Sequence, residues 1–277
     1  MKRNRRSFFR NPAAVAALVI LTVIVLFCIL YPIFSPYKYW QMIVADCLQP
    51  PSLKHLLGTD GFGRDLMTRL AFGGRITLSV AVLSGIIAAV LGTAIGILCG
   101  YAGGRTDSVL MRLMDAISSI PSLLLAIVFD YSLGPGKGFF LIGVAIAGIP
   151  PFARLVRSAV LEIGGSDYVG ASLALGASHV HVVREHVLHN VLPLAAIQAT
   201  TSVADAVTTC TILGYINVSI SPPLPEWGAI FAEGSGHMRA LPYLPLVPAV
   251  TIVLCIVSLY LLGNGIRDSF SITGGDA

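Results

Sequence analysis

The sequence predicts an all-α integral membrane protein with six transmembrane helices and both termini in the cytoplasm. Three observations carry this. Hydrophobic residues make up 55% of the chain and charged residues only 12%, about half the charged share of an ordinary soluble domain. Mean hydropathy is +0.82, and apolar runs of the ~20 residues needed to cross a bilayer recur along the chain. Basic residues are also distributed unevenly between the segments joining those runs. The composition excludes water-soluble function classes.

Residues 1–11 are expected to form a basic cytoplasmic N-terminus. Lys2, Arg3, Arg5, Arg6 and Arg10 precede the first apolar run with no acid among them. Beside a membrane span such a cluster is a topology signal rather than a nucleic-acid tail. The run Ala13–Leu30 is longer than a signal-peptide core, and no A-x-A-like site follows it, so 12–34 is expected to be an uncleaved first span.

Residues 35–74 are polar and rich in turn formers, and are expected to fold outside as a connector. Glycines in HLLGTDGFGRD imply tight turns, and Asp60, Arg64 and Asp65 are close enough for local ion pairs or caps. The G-F-G-R string is no phosphate loop, because no Gly-Lys-Ser/Thr follows it.

A core of five transmembrane helices is expected over 75–265. Span two is expected over about Ile76–Cys99, where Gly92 and Gly96 form a small-xxx-small pair suited to close helix approach. A turn leads to an amphipathic helix in which Arg112 and Asp115 can pair. It is expected to lie partly in the cytoplasmic interface before becoming span three, kinked at Pro121. Span four, about Phe139–Val156, is expected to be broken at Pro150-Pro151.

A cytoplasmic loop over 158–190 separates spans four and five. Ser166 can cap a helix over Asp167–Leu175, Gly176 suits the left-handed residue that ends it, and Ser178 can cap a second helix. Val180, Val183, Val187 and Val191 recur at helical spacing in that second helix. Such a corner can press against a soluble partner from the membrane surface. Span five, about Val191–Ile216, carries one acid, Asp205, at a depth where an ionisable group is costly. Asp205 is therefore a candidate substrate-path or gating carboxylate; a carboxylate paired with a hydroxyl or backbone group inside the bundle is the other reading. The segment SPPLPEWGAIFAEG, with Trp and Pro suited to an interfacial loop, precedes span six at about Leu244–Leu262. A cytoplasmic tail follows over 266–277.

The charge rule agrees with this topology. Lys2, Arg3, Arg5, Arg6, Arg10, Arg105, Arg112, Arg154, Arg157, Arg184 and Arg267 fall inside. Lys38, Lys54, Arg64, Arg69, Arg75, Lys137 and Arg239 fall outside.

Candidate chemistry is sparse. Of Cys28, Cys47, Cys99, Cys210 and Cys255, only Cys47 lies in a polar segment, so neither disulfides nor a thiolate metal site is indicated. His179, His181, His186 and His189 cluster, but His179 and His181 do not share a helix face and no Cys supports them, so no metal site is assigned. There is no nucleotide-binding loop, Ser-His-Asp pattern or H-E-x-x-H motif, and no catalytic residue is assigned.

Four stretches carry a resemblance. Gly170-Ala171-Ser172-Leu173-Ala174-Leu175-Gly176, with Leu188-His189 beyond it, is similar to the E-A-A-x-x-x-G coupling loop of ABC importer membrane subunits. Gly170 stands where the family has Glu, Ser172 where it has its second Ala, and His189 where it has Pro. More specifically, Leu57-Gly58-Thr59-Asp60 with Gly63-Arg64-Asp65 resembles a signature of the dipeptide, oligopeptide and nickel permeases, in the second of their two membrane subunits. MRLMDAISSIPSLLLAIV and the P-P-x-P-x-W-G pattern at Pro222–Gly228 also resemble that branch. Ile212-Leu213-Gly214-Tyr215-Ile216 keeps only Leu-Gly of the relatives' F-L-G-L-G.

The resemblance implies a type I ABC importer permease fold in a bacterial inner membrane. It implies a homologous second permease subunit as heterodimer partner, two ATPase subunits and an external solute-binding protein, besides the lipid bilayer and no nucleic acid. ATP and Mg would be bound by partner subunits, with no cofactor on this chain. Asp167, Tyr168, Gly170, Ala171, Ser172, Leu175 and Gly176 would couple to the ATPase. Gly58, Thr59, Asp60, Gly63, Arg64 and Asp65 form the external signature, for which a folded connector without ligand role is the simpler expectation. Short peptides are the expected cargo, with nickel or a metal chelate as the alternative. A secondary transporter is the rival from another class.

Overall fold

Asn11 starts the first helix by accepting hydrogen bonds from the amides of Ala13 and Ala14 at 3.1 and 3.3 Å, and Pro12 occupies the first helical turn. This helix, α1 (Pro12–Phe34), has the bounds expected for span one. The computed structural model describes residues 8–9, 11–134, 138–218 and 220–271. The basic cluster Lys2–Arg6 with Arg10, Lys137 and the end of the tail lie outside the described residues. Pro32 inside α1 has no amide to give the Cys28 carbonyl. The Arg75 guanidinium supplies that donor instead, with Nε 2.7 Å from the Cys28 oxygen.

Helix α2 runs Leu66–Ala102, starting about ten residues before the expected span two. Its 37 residues correspond to about 55 Å at the α-helical rise, so it links the two ends of the bundle. Asp65 caps it by accepting from the Thr68 amide at 2.8 Å. Helices α3 (Gly104–Ser118) and α4 (Ser122–Leu133) follow. Pro121 does not kink a single helix there; the two are separate and bent by 85° at the break. Pro121 instead stands extended before α4, and its ring disfavours the helical state for Ile120, so α3 ends ahead of it.

Helix α5 (Phe140–Gly164) passes unbroken through Pro150 and Pro151, against the expected break. Close packing on α2 holds it. A side chain at Gly92 would collide with Ile149 and Phe152, and one at Gly96 with Ala153 and Val156. Gly100 makes a third such contact, with Val160. The two backbones therefore touch along three turns.

Helices α6 (Asp167–Ala174) and α7 (His179–Val182) form the predicted corner. A π-helical turn at Val183–Leu188 then leads into α8 (His189–Tyr215). Its extra residue per turn shifts the apolar register. Val182, Val187 and Val191 are buried while Val180 is exposed, in place of the expected Val180-Val183-Val187-Val191 face. Helix α9 (Trp227–Ser235) and α10 (Tyr243–Ser271) complete the chain.

Five of these segments are long and apolar enough to span a membrane, and the bent α3–α4 pair makes a sixth candidate. No strand occurs among the described residues. The main core joins α1, α2, α4, α5, α8, α9 and α10 and includes Trp227, Leu213 and Cys255.

Candidate functional site

The cap at the start of α2 is built by the expected external signature. Asp60 accepts from the Phe62 and Arg64 amides at 2.8 and 3.0 Å, closing a turn that needs Gly63 at φ 72°. A side chain at Gly63 would also strike the Ile43 carbonyl. Thr59 bridges Asp65 in a short antiparallel pairing, and His55 hydrogen-bonds Asp65 at 2.9 Å. Arg64 Nε reaches Asp60 Oδ2 at 2.7 Å and its Nη2 reaches Glu233 Oε2 at 2.7 Å. Arg69 joins the same two acids.

Asp60, Arg64 and Arg69 are each less than a tenth exposed. These side chains are thus committed to holding the cap against α9. A cavity of about 270 Å³ opens beside them, bounded by the segment after α8. Arg69 and Glu233, central to the network, were not singled out from sequence, because 164 residues separate them.

Glu226 and Trp227 seat α9. Trp227 is fully buried, its indole N–H donating to the Leu70 carbonyl at 2.9 Å, in place of the interfacial position its loop suggested. The Glu226 carboxylate caps α9 through the amides of Gly228 and Ala229 and accepts from the Thr77 hydroxyl at 3.3 Å. Burial pushes its carboxyl up to about 7, although these hydrogen bonds favour the ionised form.

At the opposite end of α2, the corner stands clear of the bundle. Asp167, Tyr168, Gly170, Ala171 and Leu175 are exposed, Ser172 is half-buried, and Val169 anchors the helix inside. Gly176 has φ 87° with nothing near where a Cβ would stand, so backbone conformation alone requires glycine there. Ser166 contributes its carbonyl to the first turn of α6, while its hydroxyl turns back to the Ile163 carbonyl instead of capping. Ser178 caps α7 as expected, through the His181 amide. The Tyr168 ring meets His186 edge-on, and the Tyr101 hydroxyl joins His179 Nδ1 at 2.6 Å.

Ion pairs brace this end. Arg157 binds Asp107 through both carboxylate oxygens, and Arg154 reaches Asp115 at 2.9 Å. Asp115 is thus paired across helices and not with Arg112.

Between the ends lies a cavity of about 410 Å³, lined by Asp205 together with residues of α2, α4 and α5. Asp205 accepts from the Tyr260 hydroxyl at 2.6 Å. Tyr260 also escaped the sequence reading, since its approach depends on how α10 crosses α8. Among the described residues no group of three His, Cys, Asp or Glu side chains could hold a metal ion.

Residues 92–271 match the family model described as binding-protein-dependent transport system inner membrane component. Residues 1–51 match the N-terminal transmembrane domain of oligopeptide transport permease C. The chain is 33% identical to the dipeptide transport system permease protein DppC of Alkalihalophilus pseudofirmus, over 94% of this chain and 86% of that one. It is 34% identical to the oligopeptide transport system permease protein OppC of Haemophilus influenzae, covering 96% and 86%. It is 35% identical to the di/tripeptide transport system permease protein DppC of Pseudomonas aeruginosa, covering 97% and 91%.

A chain of the methionine ABC transporter MetNI, solved in inward facing conformations, has a TM-score of 0.60 at 21% identity and covers 75% of this chain and 97% of that one. That likeness establishes the type I importer permease fold, and the family match sets the secondary-transporter alternative aside. The chain therefore belongs to the binding-protein-dependent inner membrane component family, in its DppC/OppC branch, as a multi-pass permease subunit of an ABC importer in the bacterial inner membrane and not an enzyme.

Proposed function

We propose that this chain forms half of the translocation path of an ATP-driven importer of short peptides. One observation carries the coupling part: an exposed helix–glycine–helix corner stands at the far end of α2 from the ion-paired cap. The names of the relatives support the cargo class. The path is completed by a homologous second permease subunit. Two ATPase subunits, which bind ATP and Mg, meet α6, and a solute-binding protein delivers cargo at the cap.

Closure of the ATPases moves α6 through Asp167, Tyr168 and the Gly170–Gly176 stretch. Because α6 follows α5 after only Gly165 and Ser166 and leads through α7 into α8, that motion tilts two spans as rigid bodies and alternates access to the path. The cap, locked by Asp60, Arg64, Arg69 and Glu233, presents a stable face to the binding protein. This chain binds no cofactor itself.

The test is purification of the tagged chain from its native membrane, with identification of the proteins that accompany it and an ATPase assay. A second permease and ATPase subunits, with hydrolysis stimulated by peptide-loaded binding protein, are expected. A lone chain without nucleotide dependence, under conditions preserving comparable complexes, overturns the proposal.

A further inference from the structure

Asp205 is exposed on the surface of this chain, although it lies ten residues before the end of α8 at Tyr215, about 15 Å along the helix axis. A carboxylate facing acyl chains at that depth is costly, so this face of α8 meets protein or a water-filled path. The surrounding sequence agrees. Gln198, Thr201, Ser202, Asp205, Thr208 and Thr209 recur at intervals of three and four residues, forming a polar stripe on one side of α8. Ala204, Val207 and Cys210 are buried.

The cavity beside this stripe gathers Ser84 from α2, Ser122 from α4, and Ser202, Thr208 and Thr209 from α8 around the single charge of Asp205. Among the described residues no Lys, Arg or His lines it. Its volume, about 410 Å³, lies within the range of sites for small ligands. The carboxylate accepts one hydrogen bond, from Tyr260, and no second one among the described residues. The site thus offers one negative charge with acceptor capacity to spare, ringed by hydroxyls of which Ser84, Thr208 and Thr209 donate to backbone carbonyls of their own helices and so turn acceptor lone pairs to the cavity. An ammonium group has three N–H donors and one positive charge, and matches it. Tyr260 holds the carboxylate in place, which reduces the ordering cost of binding.

We propose that this cavity is a subsite within the membrane for the protonated amino group of the cargo, with Asp205 as counter-charge and the hydroxyls as neutral partners. This rests on the peptide-import reading above. A single carboxylate in a hydroxylated wall also suits a path, where binding must be favourable enough for entry and weak enough for release.

The experiment uses the complete importer in proteoliposomes, with its binding protein. Import of alanyl-alanine is compared with import of propionyl-alanine, which has the same shape but no amine. Both are supplied at concentrations that saturate the binding protein, as followed by its intrinsic fluorescence. Asp205→Asn is expected to slow import of alanyl-alanine at least tenfold and that of propionyl-alanine less than twofold. Asp205→Glu is expected to restore alanyl-alanine import to within threefold of the parent. ATPase stimulation by loaded binding protein is expected to stay within twofold throughout, showing that the complex is assembled.

Equal slowing of both cargoes, or of neither, overturns the subsite. For alanyl-alanine alone, an unchanged maximal rate in Asp205→Asn also overturns it. If the parent complex imports neither cargo while its ATPase responds to another loaded ligand, the peptide reading itself fails, an outcome visible without any variant.

Discussion

The Glu226 carboxylate fills the space beside Gly214 that a side chain there would occupy. Glycine at 214 lets the carboxylate reach Thr77 and the first amides of α9 together. Gly214→Ala would drive a methyl into Glu226 and the Ala229 amide. Overpacking of this kind costs about 1–3 kcal/mol. The thermal midpoint in detergent is expected to fall by several degrees, measured by intrinsic fluorescence.

Glu226 also sets a pH dependence. Its folded-state value of about 7 lies above the ordinary 4.5, so the folded chain keeps a proton that the unfolded chain loses. The contribution is fully present below pH 4.5, declines as pH rises towards about 7 and is absent above. Glu226→Gln should flatten that slope in thermal midpoints taken from pH 4.5 to 8. Asp46 works in the opposite sense and elsewhere: the Lys54 ammonium lowers its carboxyl, so its contribution is lost only as pH falls below the ordinary 3.8.

Gly170 and Gly176 separate space from conformation. Neither has an atom near where a Cβ would stand, but only Gly176 has positive φ. Gly170→Ala is expected to be tolerated and to favour α6 by up to ~1 kcal/mol. Gly176→Val is expected to leave membrane insertion intact while lowering ATPase stimulation by loaded binding protein at least fivefold. Equal stimulation in both variants would remove the coupling role from the corner.

Asp60 holds two buried guanidinium groups. Asp60→Ala leaves them short of a counter-charge, and breaking such a buried arrangement costs about 3–5 kcal/mol. Little folded protein should be recovered from membranes. Asp167→Ala, on the exposed helix, should give parental yield.

The α1 bounds, the small-residue pair of α2 that lets a helix approach closely and the left-handed Gly176 were legible because each rests on local chemistry. An apolar run of spanning length, small residues at Gly92 and Gly96, and a turn at Gly176 need no knowledge of distant residues. The phase of the spans was less legible. In α1, small Ala14, Ala17 and Cys28 are buried, while large Val19, Val23, Leu26 and Ile33 are exposed. Both sides of a membrane helix are apolar, so hydrophobic periodicity does not say which side faces the bundle. The π turn at Val183–Leu188 hid the register of α8 for a related reason, since one extra residue moves every later side chain.

The candidate sites divide in the same way. The sequence by itself determined that the chain crosses a membrane, that a glycine corner separates two of its helices, and that Asp205 is anomalous at its depth. Length, hydropathy and backbone preference are properties of contiguous residues. Tertiary structure alone decided that Arg69 meets Glu233, that Trp227 is buried against α2, that α5 runs through two prolines and that Tyr260 reaches Asp205. Those outcomes depend on which helix faces cross, and are set by packing and ion pairing between residues far apart in the chain.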